Sequence, residues 1–349
     1  MTLQSDFNRF NTVHRLDYNF VSSPFNILTD MKLKPYYFLL FIIVFAACKS
    51  STQRTVPVVG FLDLLQDETL EQAKKGFFVA LKDSGFDPMQ KTLEVVYRNA
   101  QNDQPTLLQA CDYLISQKVD LIATNPTLST ITAIQKTKTI PVFMMVSPRP
   151  DIAGLTDTEG HAPLNLFGTY ETLDYIDTAI MLVKSVLPSA KRIGTIYNQS
   201  EPQSVDALRR IENTCQALGF ELEKLPVNNS NETQLVVASL LNKKIDVFFA
   251  LPDNTVFSSM EIIVKSCDDA HVPVFTSEEG LVKRGAVAAF GADMYQWGYQ
   301  TGQQAAVALK KKSYLGLQPQ IVISRRRVFN SAKAKSFNIA FDSTFTAVN

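Results

Sequence analysis

From Val58 onward the chain alternates short β-branched and apolar runs with longer amphipathic stretches, and it does so twice in the same order. This is the rhythm of parallel strands covered by helices, since a strand buried on both faces reads as a continuous apolar run. Strands are expected at Val58–Leu62, Leu93–Tyr97, Leu121–Thr124, Val142–Met145 and Leu166–Thr169, then at Arg192–Tyr197, Glu221–Val227, Val247–Ala250, Val272–Thr276 and Val287–Gly291. Glu68–Ser84 has a helical pattern, with Leu70, Ala73, Phe77, Ala80 and Leu81 on one face, Lys74, Lys75, Lys82 and Asp83 on the other, and Gly85 as its stop. In each half a helix ends in Gly-Phe (Gly85-Phe86, Gly219-Phe220), and a later strand reads Pro141-Val142-Phe143 or Pro273-Val274-Phe275. A single eight-unit barrel would not restart this grammar near Lys191. The expected fold class is α/β, with two Rossmann-like lobes built on parallel sheets.

Charge and motifs narrow the function. The 34 Lys and Arg residues balance 34 Asp and Glu, and the basic run Arg325-Arg326-Arg327 is too short to hold a nucleic acid. No HExxH or paired CxxC occurs, so no metal is expected, and none of the phosphate-cradling glycine motifs that would announce a nucleotide cofactor is present. His161 is the only histidine near an expected loop mouth, and no GxSxG elbow accompanies it; no catalytic residue is assigned.

The N-terminus speaks to compartment. Two lysines, Lys32 and Lys34, precede an apolar run from Tyr36 to Val44 and then small residues before Cys48, the order of a secretory signal and too short for a permanent span. Phe45-Ala46-Ala47-Cys48 resembles a bacterial lipobox, in which the cysteine carries the lipid anchor. Residues 1–30 are expected to be a non-native extension before a true start at Met31, 31–47 a lipoprotein signal peptide and 48–56 a tether. Cys111, Cys215 and Cys267 are read as buried free thiols.

In open parallel sheets ligands sit beyond the carboxyl ends of the strands, where helix N-termini present free N–H groups. Asn125-Pro126-Thr127 starts such a helix and reads either as a plain cap or as a carboxylate site. Asp253-Asn254-Thr255 holds the equivalent place in the second half; Asp253 can cap its helix, accept from a ligand ammonium, or do both. Glu171, Glu278, Glu279 and Asp293 add carboxylates that favour a cation or zwitterion, and Tyr170, Tyr197, Tyr295 and Trp297 offer aromatic faces.

The stretches Glu94–Gln104 (Glu-Val-Val-Tyr-Arg-Asn-Ala-Gln-Asn-Asp-Gln), Pro188–Asn198, Pro252–Thr255 and Gly291–Asp293 are similar to the ABC transporter substrate-binding proteins of the tryptophan-binding type. The resemblance runs from about Val58 to about Lys312. It implies a periplasmic-binding-protein type I fold, in which crossover strands join the lobes and a cleft closes on a small molecule, often an aromatic amino acid. It assigns 57–167 with 291–314 to lobe 1 and 168–290 with 315–349 to lobe 2, with hinges near Phe167–Tyr170, Phe290–Ala292 and Lys312–Leu317. It places Thr127, Tyr197, Asn198, Glu201, Asp253, Asn254, Thr255, Ser277, Glu278, Glu279 and Asp293 at the cleft. Asn125, Ser147, Tyr170 and Glu171 complete the expected ligand-binding set. Departures occur at Asp63–Glu68, Val146-Ser147-Pro148 and Gly168–Glu171, all in cleft loops.

The expectation is an exported, lipid-anchored solute-binding protein that delivers a small ligand to ABC permease subunits in the membrane, without enzymatic activity. A sensor module of the same fold contacting a membrane receptor, and a cleft hydrolase, are the alternatives.

Overall fold

β1 (Val58–Asp63) is buried at every position, as a strand covered on both faces must be. The computed structural model describes residues 55–348; the expected extension, signal segment, Cys48 and nearly all of the tether lie outside the described residues. After β1 come α1 (Glu68–Asp83), β2 (Glu94–Asn99), α2 (Gln104–Ser116), β3 (Leu121–Asn125), α3 (Thr127–Lys136), β4 (Val142–Met144) and β5 (Leu166–Tyr170). The second round runs α4 (Tyr175–Val186), β6 (Arg192–Tyr197), α5 (Pro202–Leu218), β7 (Glu221–Pro226), α6 (Thr233–Leu241), β8 (Val247–Ala250), α7 (Asn254–Ser258), α8 (Met260–Asp269), β9 (Val274–Thr276), α9 (Glu279–Lys283) and β10 (Ala288–Ala292). The chain closes with α10 (Met294–Lys311), β11 (Gln320–Ile321), β12 (Arg325–Asn330), α11 (Ser331–Ser336) and β13 (Thr346–Val348).

Aspartates start several of these helices. Asp67, Asp103, Asp253 and Asp293 each accept backbone N–H groups two or three residues on, satisfying donors that a helix start leaves free.

Two sheets result, ordered β11-β5-β4-β3-β1-β2 and β13-β12-β10-β9-β8-β6-β7. Pairing is parallel throughout except where β12 runs antiparallel to β10. β2 and β7 stand at sheet edges and are the least buried of the long strands, because one flank and one face of each meet solvent. Phe61, Phe77 and Phe143 of the first lobe and Phe248, Phe249 and Phe275 of the second are fully buried, each contributing roughly 1.5–3 kcal/mol by leaving water. The three thiols of Cys111, Cys215 and Cys267 are buried and unpaired.

α10 follows the last parallel strand of the second sheet yet packs on the first lobe. Its approach to α1 is close enough to require glycine: a Cβ at Gly298 would stand 1.7 Å from the Ala73 carbonyl oxygen, and one at Gly76 2.0 Å from that of Tyr295. From α10, Gln304 Oε1 accepts the Gly168 N–H at 2.7 Å, and the Thr301 and Thr169 hydroxyls share a bond of 2.5 Å.

The lobe boundaries therefore differ from the expected ones. β5 belongs to the first sheet through Tyr170, so the first crossing is 171–174 and not 167/168. The second lies at Asp293. The third falls at 322–324, later than the expected Lys312–Leu317, because β11 first adds to the free edge of β5. The three crossings lie side by side, with Val322 N–H bonded to Tyr170 O at 2.9 Å and Asp293 N–H to Ser324 O at 3.4 Å. β12 absorbs the basic run: Arg325 pairs with Glu171 at 2.6 Å, Arg326 with Glu279 at 2.9 Å, and Arg327 lies 5.3 Å from the centre of the Phe290 ring.

Candidate functional site

A cavity lies between the lobes. Its lining comes from the loops and helix starts after seven parallel strands: Pro126 and Thr127 follow β3, Val146–Pro148 β4, Leu173 and Tyr175 β5, Gln203 β6, Pro252 and Asn254 β8, Glu278 β9, and Met294 and Trp297 β10. Carboxyl ends converge there because every strand of a parallel sheet points the same way. Phe257, from α7, completes the wall.

The walls are largely apolar, and among the described residues a set of unpartnered polar atoms interrupts them. Ser147 Oγ, Gln203 Oε1, Asn254 Nδ2 and Glu278 Oε2 are all buried without a hydrogen-bond partner in the protein. Such atoms are rare in folded chains, because each loses its water without compensation. At the same wall, α3 begins with no side chain capping it, so its first N–H groups add donors and a positive dipole end.

Glu278 is 0% exposed. Its Oε1 accepts from the Tyr175 hydroxyl at 3.0 Å and from Ser277 Oγ at 3.1 Å. Burial pushes its carboxyl up to about 8, against the pull of those two donors.

Of the expected site residues, Thr127, Ser147, Asn254 and Glu278 meet at this cavity. Others turn inward. Asp253 Oδ2 accepts from Asn198 N at 2.7 Å and Ser204 Oγ at 2.6 Å, and Oδ1 accepts from Thr255 N at 2.8 Å and Val256 N at 3.0 Å. With both oxygens filled from inside, Asp253 ties β6 to α7 and is not placed to accept from a ligand ammonium, as its loop position had suggested. Glu201 holds the Asn254 N–H at 2.9 Å and the Gln203 side-chain amide. Burial, with Asp253 adjacent, keeps the Glu201 carboxyl well above the ordinary range. Asn198 Nδ2 donates to Thr255 Oγ1 at 3.1 Å, making both part of the same scaffold.

The remaining expectations fall elsewhere. Asn125 donates to Asp63 at 3.0 Å and to Leu70 O at 3.2 Å, behind the cavity wall. Tyr170 and Tyr197 end their strands half-buried and do not line the cavity. Glu171 is buried at the first crossing against Arg325, and Ser277 supports Glu278. Glu279 and Asp293 line a separate mouth between the lobes, with Arg326.

Gln203, Tyr175, Phe257 and Met294 were not picked out. Gln203 carried one signal, its position in the first turn of a helix opened by Pro202; the others look like ordinary core residues in sequence.

Two parallel-sheet lobes, three crossings and a cavity at the strands' carboxyl ends define a solute-binding protein of the periplasmic-binding-protein type I class, which binds a ligand and does not convert it. The chain belongs to the family of ABC transporter substrate binding proteins, whose model matches residues 58–347. It is 35% identical over 255 residues to the tyrosine-binding protein of Clostridioides difficile, covering 73% of each chain. Among solved structures, it matches the ABC domain of Streptococcus pneumoniae in complex with L-Trp, with a TM-score of 0.76, 22% identity, and coverage of 83% of this chain and 97% of that one. It also matches the ligand-free, open structure of a substrate binding protein with adhesive properties from Clostridium difficile, with a TM-score of 0.64, 30% identity, and coverage of 84% and 99%.

Proposed function

We propose that the inter-lobe cavity binds an α-amino acid with an aromatic or large apolar side chain, and that the chain is the exported, lipid-anchored receptor of an ABC import system. The observation that carries this reading is the set of four unpartnered polar atoms facing one apolar cavity. They mix acceptors and donors, the complement of a zwitterion's head, while Trp297, Phe257, Tyr175 and Met294 suit an apolar side chain. The carboxylate of such a ligand fits the start of α3 beside Ser147, and its ammonium fits Glu278 Oε2 and Gln203 Oε1.

The lobe arrangement supports a closing cleft. The chain superposes better on the L-Trp complex than on the ligand-free, open structure, although its identity to the latter is higher. Cys48 as lipid anchor, the signal at 31–47, delivery to permease subunits and a bacterial periplasmic or cell-surface location complete the proposal.

The test is thermal unfolding of the Cys48→Ser protein with each of the twenty amino acids, sugars and nucleosides. A ligand at 100 times its Kd adds about 2.7 kcal/mol to the folded state. A shift with Tyr, Trp or Phe is expected; a shift confined to sugars or nucleosides would reject the amino-acid reading.

A further inference from the structure

The amino-acid reading leaves open what happens to the charge of the group that meets the ammonium, and the inference here rests on that reading. We propose that Glu278 is the cation-binding group of the cavity and that it releases a proton to solvent when the ligand's ammonium arrives.

The geometry behind Glu278 is a buried cluster with an odd charge count. Tyr175 of α4 and Ser277 hold Glu278 Oε1, while Oε2 has no partner and Glu278 is one of the residues that line the cavity. Glu171, at the first crossing, is equally buried; its Oε1 accepts from Arg325 at 2.6 Å and from Thr172 N–H at 2.7 Å, and its Oε2 is also unpartnered. Arg325 of β12 lies 5.5 Å from the centre of the Tyr175 ring and contacts Glu171, leaving Glu278 without a direct cation. Across the cavity, the Glu201 and Asp253 carboxyls are satisfied by donors of the two loops that carry them, Gln203 and Asn254 for Glu201, Ser204 and Thr255 for Asp253. Glu279, next in sequence, is neutralised by Arg326.

Two buried carboxyls thus share one guanidinium. A second buried anion without a counter-ion is strongly disfavoured, so the empty cluster keeps one proton. Glu171 has the salt bridge, which leaves the proton on Glu278; burial raises Glu278 to about 8 and Glu171 only to about 7, in the same order. An ammonium at Oε2 supplies the missing positive charge. The carboxyl O–H bond breaks, its proton passes to bulk solvent, and the oxygen electron pair left behind accepts the ligand N–H. A neutral hydroxyl at the same place brings no charge and leaves the proton where it is, so the cluster separates ammonium-bearing ligands from polyols.

The test is calorimetric titration of the protein at pH 7 in phosphate and in Tris, which differ in ionisation enthalpy, with whichever of L-tyrosine, L-tryptophan and L-phenylalanine binds. The expected result is a buffer-dependent heat equivalent to about one proton released per ligand, with Kd tightening by up to about tenfold per pH unit between pH 6 and 8. The matching desamino acid, which lacks the ammonium, should bind more weakly and release no proton. Glu278→Gln should remove both the proton release and the pH dependence. Amino-acid binding with no buffer-dependent heat, or proton release that survives Glu278→Gln, overturns the exchange while leaving the amino-acid reading intact. Failure of every amino acid to bind overturns both. The wild-type and desamino titrations decide the matter even if the variant does not fold.

Discussion

Arg284 of the second lobe forms an ion pair with Asp67 of the first, the residue that caps α1, and so latches the lobes across the mouth of the cleft. Arg284 is itself held by Glu261 at 2.7 and 2.8 Å and by the Phe257 carbonyl at 2.8 Å, so the guanidinium is positioned before the lobes meet. Beside it, Gly280 faces Thr69 so closely that a Cβ would lie 2.3 Å from the threonine hydroxyl.

Because the latch exists only with the lobes together, its loss costs closed-state stability and therefore affinity. Arg284→Ala should weaken ligand binding by about tenfold, equal to about 1.4 kcal/mol. Small-angle scattering at saturating ligand should still report closure. Unchanged affinity would mean that the ion pair contributes nothing to closing.

Asp253 yields the opposite kind of effect. Its four internal hydrogen bonds join β6 to α7, so Asp253→Ala removes a buried cap and leaves the Ser204 hydroxyl proton without its acceptor. The expected loss is about 3 kcal/mol of stability, a fall in Tm of roughly 5–10 °C. A full Tm with lost binding would instead place Asp253 on the ligand.

The helix pair of the first lobe depends on a missing side chain. Gly298→Ala puts a methyl 1.7 Å from the Ala73 carbonyl oxygen and must push α10 off α1. Overpacking of this kind costs about 1–3 kcal/mol, measurable as a lower denaturant midpoint. Exposed Gly316→Ala, where a Cβ meets nothing within 4 Å but φ is +82°, should cost less.

The buried carboxyls set the pH response of the ligand-free protein. Burial raises Asp63 to about 6, Glu171 to about 7 and Glu278 to about 8. For an acid raised on folding, the folded state binds the extra proton, so its stabilisation is complete below the unfolded value and fades as pH climbs through the folded one. Tm of the ligand-free protein should therefore decline from about pH 5 to pH 9, and Glu278→Gln should flatten the upper part of that decline. A Tm that rises over the same interval would show these carboxyls ionised in the folded state.

Much of this architecture is legible in the chain. Arg192–Tyr197 and Val247–Ala250 coincide with the expected strands, since an apolar run between helical patterns has few alternatives in an α/β chain. β11, β12 and β13 were missed. β11 is two residues long, and β12 opens with three arginines whose charges are engaged by Glu171, Glu279 and the Phe290 face, partners distant in sequence.

The site divides along the same line. Strand periodicity and helix-start chemistry told which loops lie at the carboxyl ends, and those loops carry Thr127, Ser147, Asn254 and Glu278, which line the cavity. Which carboxylates face the cavity was decided only by tertiary structure. Asp253 and Glu278 occupy equivalent loop positions, yet Asn198 and Ser204, some fifty residues away, join two local N–H groups in turning one inward, while Tyr175 and Ser277 leave one oxygen of the other free. Local sequence determines where backbone N–H groups and strand ends fall, because those depend on neighbours a few residues away. The direction of a buried side chain depends on donors contributed by segments far along the chain, and these meet only when the lobes are folded.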